Sequence, residues 1–252
     1  MSIFITIFSP LEQFQILPLS SSIFITNQTV ILILVLFFIF TFFFSLLSNK
    51  DSSLFIIPTR LQLIIEFLFV TILKMVTDNI HGSRAQLFFP LVFSIFFFIV
   101  SLNLIGLIPY SFTVTSHCIV TLFLSFSVFI GMNIICVRAH GLKIFSLFLP
   151  AGTSVALSLL LVPVELISYI FKPLSLAIRL FCNMMAGHTL LKVFVGFAWS
   201  LMACSGAAFF LQYLPIIILV PLLVLEFGVA LIQAFVFSLL TCIYLNDAVN
   251  LH

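Results

Sequence analysis

Charge is the scarcest thing in this sequence. Of 252 residues only nine are Lys or Arg and seven are Asp or Glu, 6% in all, where a soluble globular domain carries about a quarter. That shortage excludes a soluble globule. A net charge of +2, with the basic residues scattered, also excludes a nucleic-acid partner, which needs a clustered basic footprint. There is no G-x-x-x-x-G-K-[ST], so the chain binds no nucleotide through a P-loop of its own. Cys118, Cys136, Cys182, Cys204 and Cys242 form no C-x-x-C and no Cys/His cluster at metal spacing. Each is expected to be a small buried hydrophobe, and neither metal nor other cofactor is expected. The first residues lack a basic n-region, a small-residue cleavage site and an Arg-rich amphipathic pattern. With the heavy use of Phe and Ile, that points to a protein made inside its own compartment.

What is present is apolar. Hydrophobic residues make up 63% of the chain, 34 of them Phe, in runs that reach the ~20 residues needed to cross a hydrocarbon core. These runs do not alternate as barrel strands must, so the expected fold is an all-α, polytopic membrane protein in one membrane domain, 1–252. Residues 1–26, with Pro10, Pro18 and SSS at 20–22, read as a loop or short surface segment. A spanning helix over 27–48 follows, ending at the polar SNKDSS of 48–53. Segment 59–81 intersperses Arg60, Glu66, Lys74 and Asp78 with Leu, Ile, Phe and Val. It reads as an amphipathic helix in the interface, with a marginal spanning helix as the competing reading. Residues 86–138 form a helical hairpin, with spans near 88–108 and 119–137 joined by PYSFTVTSH at 109–117. Lys50, Arg60, Lys74 and Arg84 follow the first span, Arg138 and Lys143 follow the third, and 109–117 has no Lys or Arg. The positive-inside bias puts those basic stretches on one side and the N-terminus with 109–117 on the other.

The last part, 152–248, reads as two over-long helices joined by a connection at 199–214 without Lys or Arg. Pro163 and Pro173 are expected to kink the first of them rather than stop it. Either it breaks into two ordinary spans around Lys172, or it is one long, strongly tilted helix.

This region holds the expensive groups. A guanidinium cannot shed its charge, and Arg179 at mid-bilayer depth costs at least ~2.5–3.5 kcal/mol on insertion scales. Glu165, Lys172, Arg179 and Asn183 are 7, 7 and 4 residues apart, which places them on one helical stripe. His188, nine residues beyond Arg179, points to nearly the opposite side, about 13 Å along the axis. On the last helix Glu226 and Gln233 share a face, and Asp247 ends it. If these two helices pair as a hairpin, Glu226 approaches His188 and Gln233 approaches Arg179. An imidazole beside a carboxylate suits a proton relay, and a permanent cation suits a barrier or a counter-charge to another subunit. The plainer alternatives are a structural His188–Glu226 pair, an interhelical hydrogen bond at Gln233, and snorkelling by Lys172 and Lys192.

RLFCNMMAGH at 179–188, VELISY at 164–169 and LEFGVALIQAFVF at 225–237 resemble the signature of subunit a of the F-type ATP synthase. SPLEQFQILPL at 9–19, IPYSFTVTSH at 108–117 and the tail CIYLNDAVNLH at 242–252 are similar to its mitochondrial branch, and the resemblance covers nearly the whole chain. It implies a non-catalytic, proton-translocating stator subunit in the mitochondrial inner membrane, N-terminus toward the intermembrane space and C-terminus toward the matrix. The implied fold sets two long tilted helices against a c-ring. The implied partners are that ring, the other membrane and peripheral-stalk subunits, and lipid. Carried over by motif, Arg179 resembles the arginine that faces the ring carboxylates, with Asn183 and Gln233 on the same interface. His188 and Glu226 resemble the pair of the intermembrane half-channel, and Glu165 and Asp247 the acidic groups of the matrix half-channel. Cys182 and Lys172 depart from the usual pattern. Two rival classes fail on sequence: a secondary transporter lacks its repeats, and a redox subunit lacks paired axial His or Cys clusters.

Overall fold

The computed structural model describes residues 11–19, 25–48, 60–80, 85–108, 111–141, 155–202, 211 and 213–249, with the side chains of 44–48, 61 and 155–159 outside that set. Residues 1–10, the basic Lys50, Arg84 and Lys143 of the orientation count, Cys204, Gln212, His252 and nearly all of the 203–212 connection therefore lie outside the described residues. Six α-helices make up nearly everything described: α1 Asn27–Ser48, α2 Arg60–Asn79, α3 Ala85–Gly106, α4 Cys118–His140, α5 Val155–Met202 and α6 Tyr213–Val249. Short 3-10 turns occupy Glu12–Phe14 and Val114–Ser116, and the only β-type pairing among the described residues is an isolated bridge between Pro18 and Thr26.

Local chemistry sets the helix ends. At the start of α1, Thr26 N donates to Thr29 Oγ1 at 2.9 Å, and Thr29 N donates to Thr26 Oγ1 at 3.4 Å. This reciprocal cap satisfies donors the helix itself cannot. Asn27 then turns back, accepting from Leu17 N and donating to Gln15 O, which ties the preceding segment down. At the far end of α4, Gly141 takes φ 56°, a positive value that glycine adopts without a Cβ clash, and its N–H donates back to Val137 O.

The two last helices settle the alternative left open above. α5 runs 48 residues and α6 37, straight through Pro163, Pro173 and Pro221. At ~1.5 Å per residue they are about 72 and 55 Å long, against a hydrocarbon core of ~30 Å. No break occurs at Lys172. Four described helical stretches are long and apolar enough to cross a membrane: Ala85–Gly106, Cys118–His140, Leu160–Met202 and Tyr213–Ala248. α1 carries a shorter apolar stretch, Asn27–Phe43.

Packing centres on α6. It lies against α5, α3, α4 and α2, and the main core joins Ile72 and Val76 of α2, Ile99 of α3, Leu180 of α5, and Phe237 and Leu245 of α6. α2 contributes one side only, since Ile72, Met75 and Val76 are buried while Leu63, Ile64, Phe67 and Val70 are exposed. Large apolar side chains such as Phe37, Leu87, Ile119, Phe123, Trp199 and Ile217 face outward. In water so much exposed apolar surface would be a liability; lipid is its natural solvent.

The cysteines divide. Cys136 and Cys242 are buried as expected, but Cys118 is half-buried and Cys182 is exposed. Cys182 follows Arg179 by three residues, about 60° round the helix, and so shares its outward side.

Candidate functional site

The polar groups of the hairpin separate into three levels along α5. Closest to the 203–212 connection, His188 Nε2 lies 3.4 Å from Glu226 Oε1, with side chains 15% and 5% exposed. The expected meeting of these two residues therefore occurs. The two are close without a formed hydrogen bond, because His188 Nε2 and both Glu226 oxygens have no hydrogen-bond partner among the described residues. Three buried, unsatisfied polar atoms in one place are costly unless water or a moving proton serves them.

A glycine makes the approach possible. A Cβ added at Gly187 would meet Glu226 Oε1 at 2.7 Å and its carboxyl carbon at 3.0 Å. The carboxylate thus lies in a notch that no other residue leaves open. One helical turn after Glu226, buried Asn103 of α3 donates to the Ala230 carbonyl at 3.2 Å, while its Oδ1 is buried without a partner. The 3-10 turn Val114–Ser116 packs on α3, α4 and α5, and brings buried Thr113, Thr115 and Ser116 to these helices. Neighbouring His117 stacks on Phe112 at 5.1 Å, with Nε2 buried and unpartnered. Burial pushes the His117 imidazole below its ordinary pKa.

Arg179 occupies the middle level and faces out. Its neighbours Ala177 and Leu180 are buried, while Arg179, Ile178 and Cys182 are exposed. Among the described residues no carboxylate pairs with it and no acceptor bonds it. The expected approach of Gln233 is not made as a hydrogen bond; Gln233 and Asn183 are half-buried on the flanks of the same helix pair. Among the described residues, Tyr244 of α6 is an electrostatic neighbour of the guanidinium.

The third level is nearer the start of α5. Lys172 Nζ lies 3.8 Å from Asp247 Oδ2, 5.2 Å from the Tyr244 ring centre and 5.8 Å from that of Tyr169. Tyr169 donates its hydroxyl to Asn133 Oδ1 of α4 and packs on Phe129 at 4.9 Å. Glu165 is half-buried two turns before Lys172, its Oε2 buried without a partner. Glu165 and Asp247 are thus unlike each other: one has a cation beside it and the other has none among the described residues.

Sequence reasoning missed Gly187, Asn103, Tyr169, Asn133 and Tyr244. The asparagines carried a readable signal, being amides inside apolar helices where each needs a partner. Gly187 gave none, because a helical glycine reveals its purpose only when the facing helix is known. Among the described residues no group of His, Cys, Asp and Glu could hold a metal ion.

Comparison with known proteins gives one consistent result. The family described as ATP synthase A chain matches residues 29–246. The chain is 51% identical over 250 residues to ATP synthase subunit a of Pylaiella littoralis, covering 97% of this chain and 99% of that one. It is 44% identical over 252 residues to ATP synthase subunit a of Marchantia polymorpha, with coverage of 97% and 99%. Against ATP synthase subunit a of Pelagibacter ubique (strain HTCC1062) it is 48% identical over 209 residues, 83% of this chain and 82% of the relative.

Proposed function

The chain belongs to the ATP synthase A chain family, the proton-channel stator of the F-type ATP synthase, and we propose that five of its residues form the proton pathway: His188, Glu226, Glu165 and Asp247 line it, and Arg179 separates its two halves. The site lies in the mitochondrial inner membrane, with the N-terminus toward the intermembrane space and the C-terminus toward the matrix. The stator role is non-catalytic; ATP is made by other subunits of the complex. Its partners are a c-ring against the outward side of α5, the remaining membrane and peripheral-stalk subunits, and lipid.

Protons enter from the intermembrane side past His188 and Glu226, whose unsatisfied atoms form a polar spot in an apolar wall. From there they reach a ring carboxylate, travel round with the ring, and leave toward the matrix along a path lined by Glu165 and Asp247. Arg179 stands between the two paths, with Asn183 and Gln233 beside it on the ring side. A potential of ~100 mV supplies about 2.3 kcal/mol per proton, all of which is lost if a proton passes straight from one path to the other. A permanent cation prevents that and draws each passing carboxylate into its ionised form.

The observation that carries this reading is an exposed arginine on a membrane helix with no counter-charge among the described residues of its own chain. Such a charge needs a partner, and on this reading the partner is a ring carboxylate. Arg179→Ala is expected to abolish proton-driven ATP synthesis while the complex still assembles. Normal synthesis by the assembled variant, measured in membrane vesicles, overturns the mechanism.

A further inference from the structure

Lys172 is the charge that neither the sequence pattern nor the proton path explains. It lies on the Arg179 stripe, seven residues or about 10 Å nearer the start of α5. Its ammonium is bracketed by the Asp247 carboxylate at 3.8 Å and by the rings of Tyr244 at 5.2 Å and Tyr169 at 5.8 Å. Both rings are within the ~6 Å at which a cation is drawn to an aromatic face. Tyr169 is itself tied to Asn133 and packed on Phe129, so the cluster joins α4, α5 and α6. It does so far from the 203–212 connection, at the end of the α5–α6 pair where no loop holds the helices together.

We infer that Lys172 is a positioning residue: with Asp247, Tyr169 and Tyr244 it latches α5 to α6 at the matrix end, and leaves Glu165 as the carboxylate that receives the departing proton. The two acidic residues of the exit path thereby have different tasks. Asp247 is engaged by a cation on the facing helix, whereas Glu165 Oε2 is buried with no donor among the described residues. Loss of Lys172 frees Asp247 and removes the cation that the two rings surround. The helices then part where the exit path opens, and protons leak past the ring instead of turning it. The inference rests on the proton-path reading above, whose own test is Arg179→Ala.

The test compares assembled complexes in membrane vesicles, with subunit content checked by immunoblot. Two quantities are measured: ATP synthesis, and passive proton leak through the intact complex without nucleotide. Lys172→Met and Asp247→Asn should each lower synthesis by about tenfold and raise the leak, and Lys172→Arg should keep synthesis within about twofold of the parent. The exchange of Lys172→Asp with Asp247→Lys should recover synthesis to within about threefold, since contacting partners are strongly non-additive. Glu165→Gln should lower synthesis and leak together, and the exchange should not rescue it. Should a single variant fail to assemble, recovery of assembly and synthesis by the exchange supports the latch. Two results overturn it: an exchange no better than the single variants, or a leak that falls in Asp247→Asn as it does in Glu165→Gln. Normal synthesis by Arg179→Ala instead overturns the proton path and leaves the measured Lys172–Asp247 coupling standing.

Discussion

At the scale of single residues, the site depends as much on an absent side chain as on its charged ones. Gly187 lets the Glu226 carboxylate lie against bare backbone, and a methyl there would sit 2.7 Å from Oε1. Gly187→Ala must therefore push Glu226 away from His188. Because a helix tolerates Ala better than Gly by ~1 kcal/mol, the fold should survive. We expect proton-driven synthesis to drop by about tenfold or more with normal assembly, measured as the ratio of synthesis to subunit content. His117 gives a second prediction, with a sign. Burial disfavours its imidazolium, so the folded chain holds that proton more weakly than the unfolded chain does. The stability it contributes is complete above the unfolded pKa of ~6.5 and is lost as pH falls through that value toward the lowered one. Thermal release of this chain from the solubilised complex should thus shift to lower temperature between pH 7 and pH 5. In His117→Phe the shift should be smaller.

At the scale of elements, α6 is held by different chemistry on its different sides. α5 meets it through His188–Glu226 and Lys172–Asp247, α2 and α3 through the apolar core, and α3 also through the Asn103 donor to the Ala230 carbonyl. Asn103→Leu gives up one hydrogen bond but also removes a buried, unsatisfied oxygen, so the expected loss is only ~1 kcal/mol, read from thermal dissociation of the solubilised complex. Much of this level was legible in the sequence. Seven-residue spacing put Glu165, Lys172 and Arg179 on one stripe, and the position of the connection put Glu226 opposite His188. Three things were not legible. Pro163 and Pro173 left the continuity of α5 undecided, because whether a helix passes a proline depends on what re-satisfies its freed carbonyl. Lys172 had no readable role, because its carboxylate partner stands 75 positions away, at 247. Cys182 was expected inside because its neighbours are apolar, but in a membrane helix apolar neighbours do not distinguish the core from the surface.

At the scale of the whole molecule, the chain is unfinished by itself. Its outward faces are apolar along most of their length, and midway along α5 an exposed cation, Arg179, interrupts them. Lipid accounts for the former but not for the latter. The thiol of Cys182, exposed on the same side, reports on what covers it. A small membrane-permeant maleimide should label Cys182 slowly in the assembled complex and much faster once the ring has been dissociated. Equal labelling in both states would place the partner elsewhere.

The length of α5 has a consequence for direction. Its apolar stretch Leu160–Met202 counts 43 residues, about 64 Å, so to lie wholly within ~30 Å of hydrocarbon it would have to slant by roughly 60° from the membrane normal. On a slant of roughly 60° the 23 residues from Glu165 to His188 would amount to ~17 Å of depth but ~30 Å of lateral travel. On the proposed path the entry and exit points are therefore set apart along a rim more than they are storeys of a well. On the proposed path a rotor turning past them meets them in sequence, and the sense of the slant, like the hand of a screw thread, sets the order.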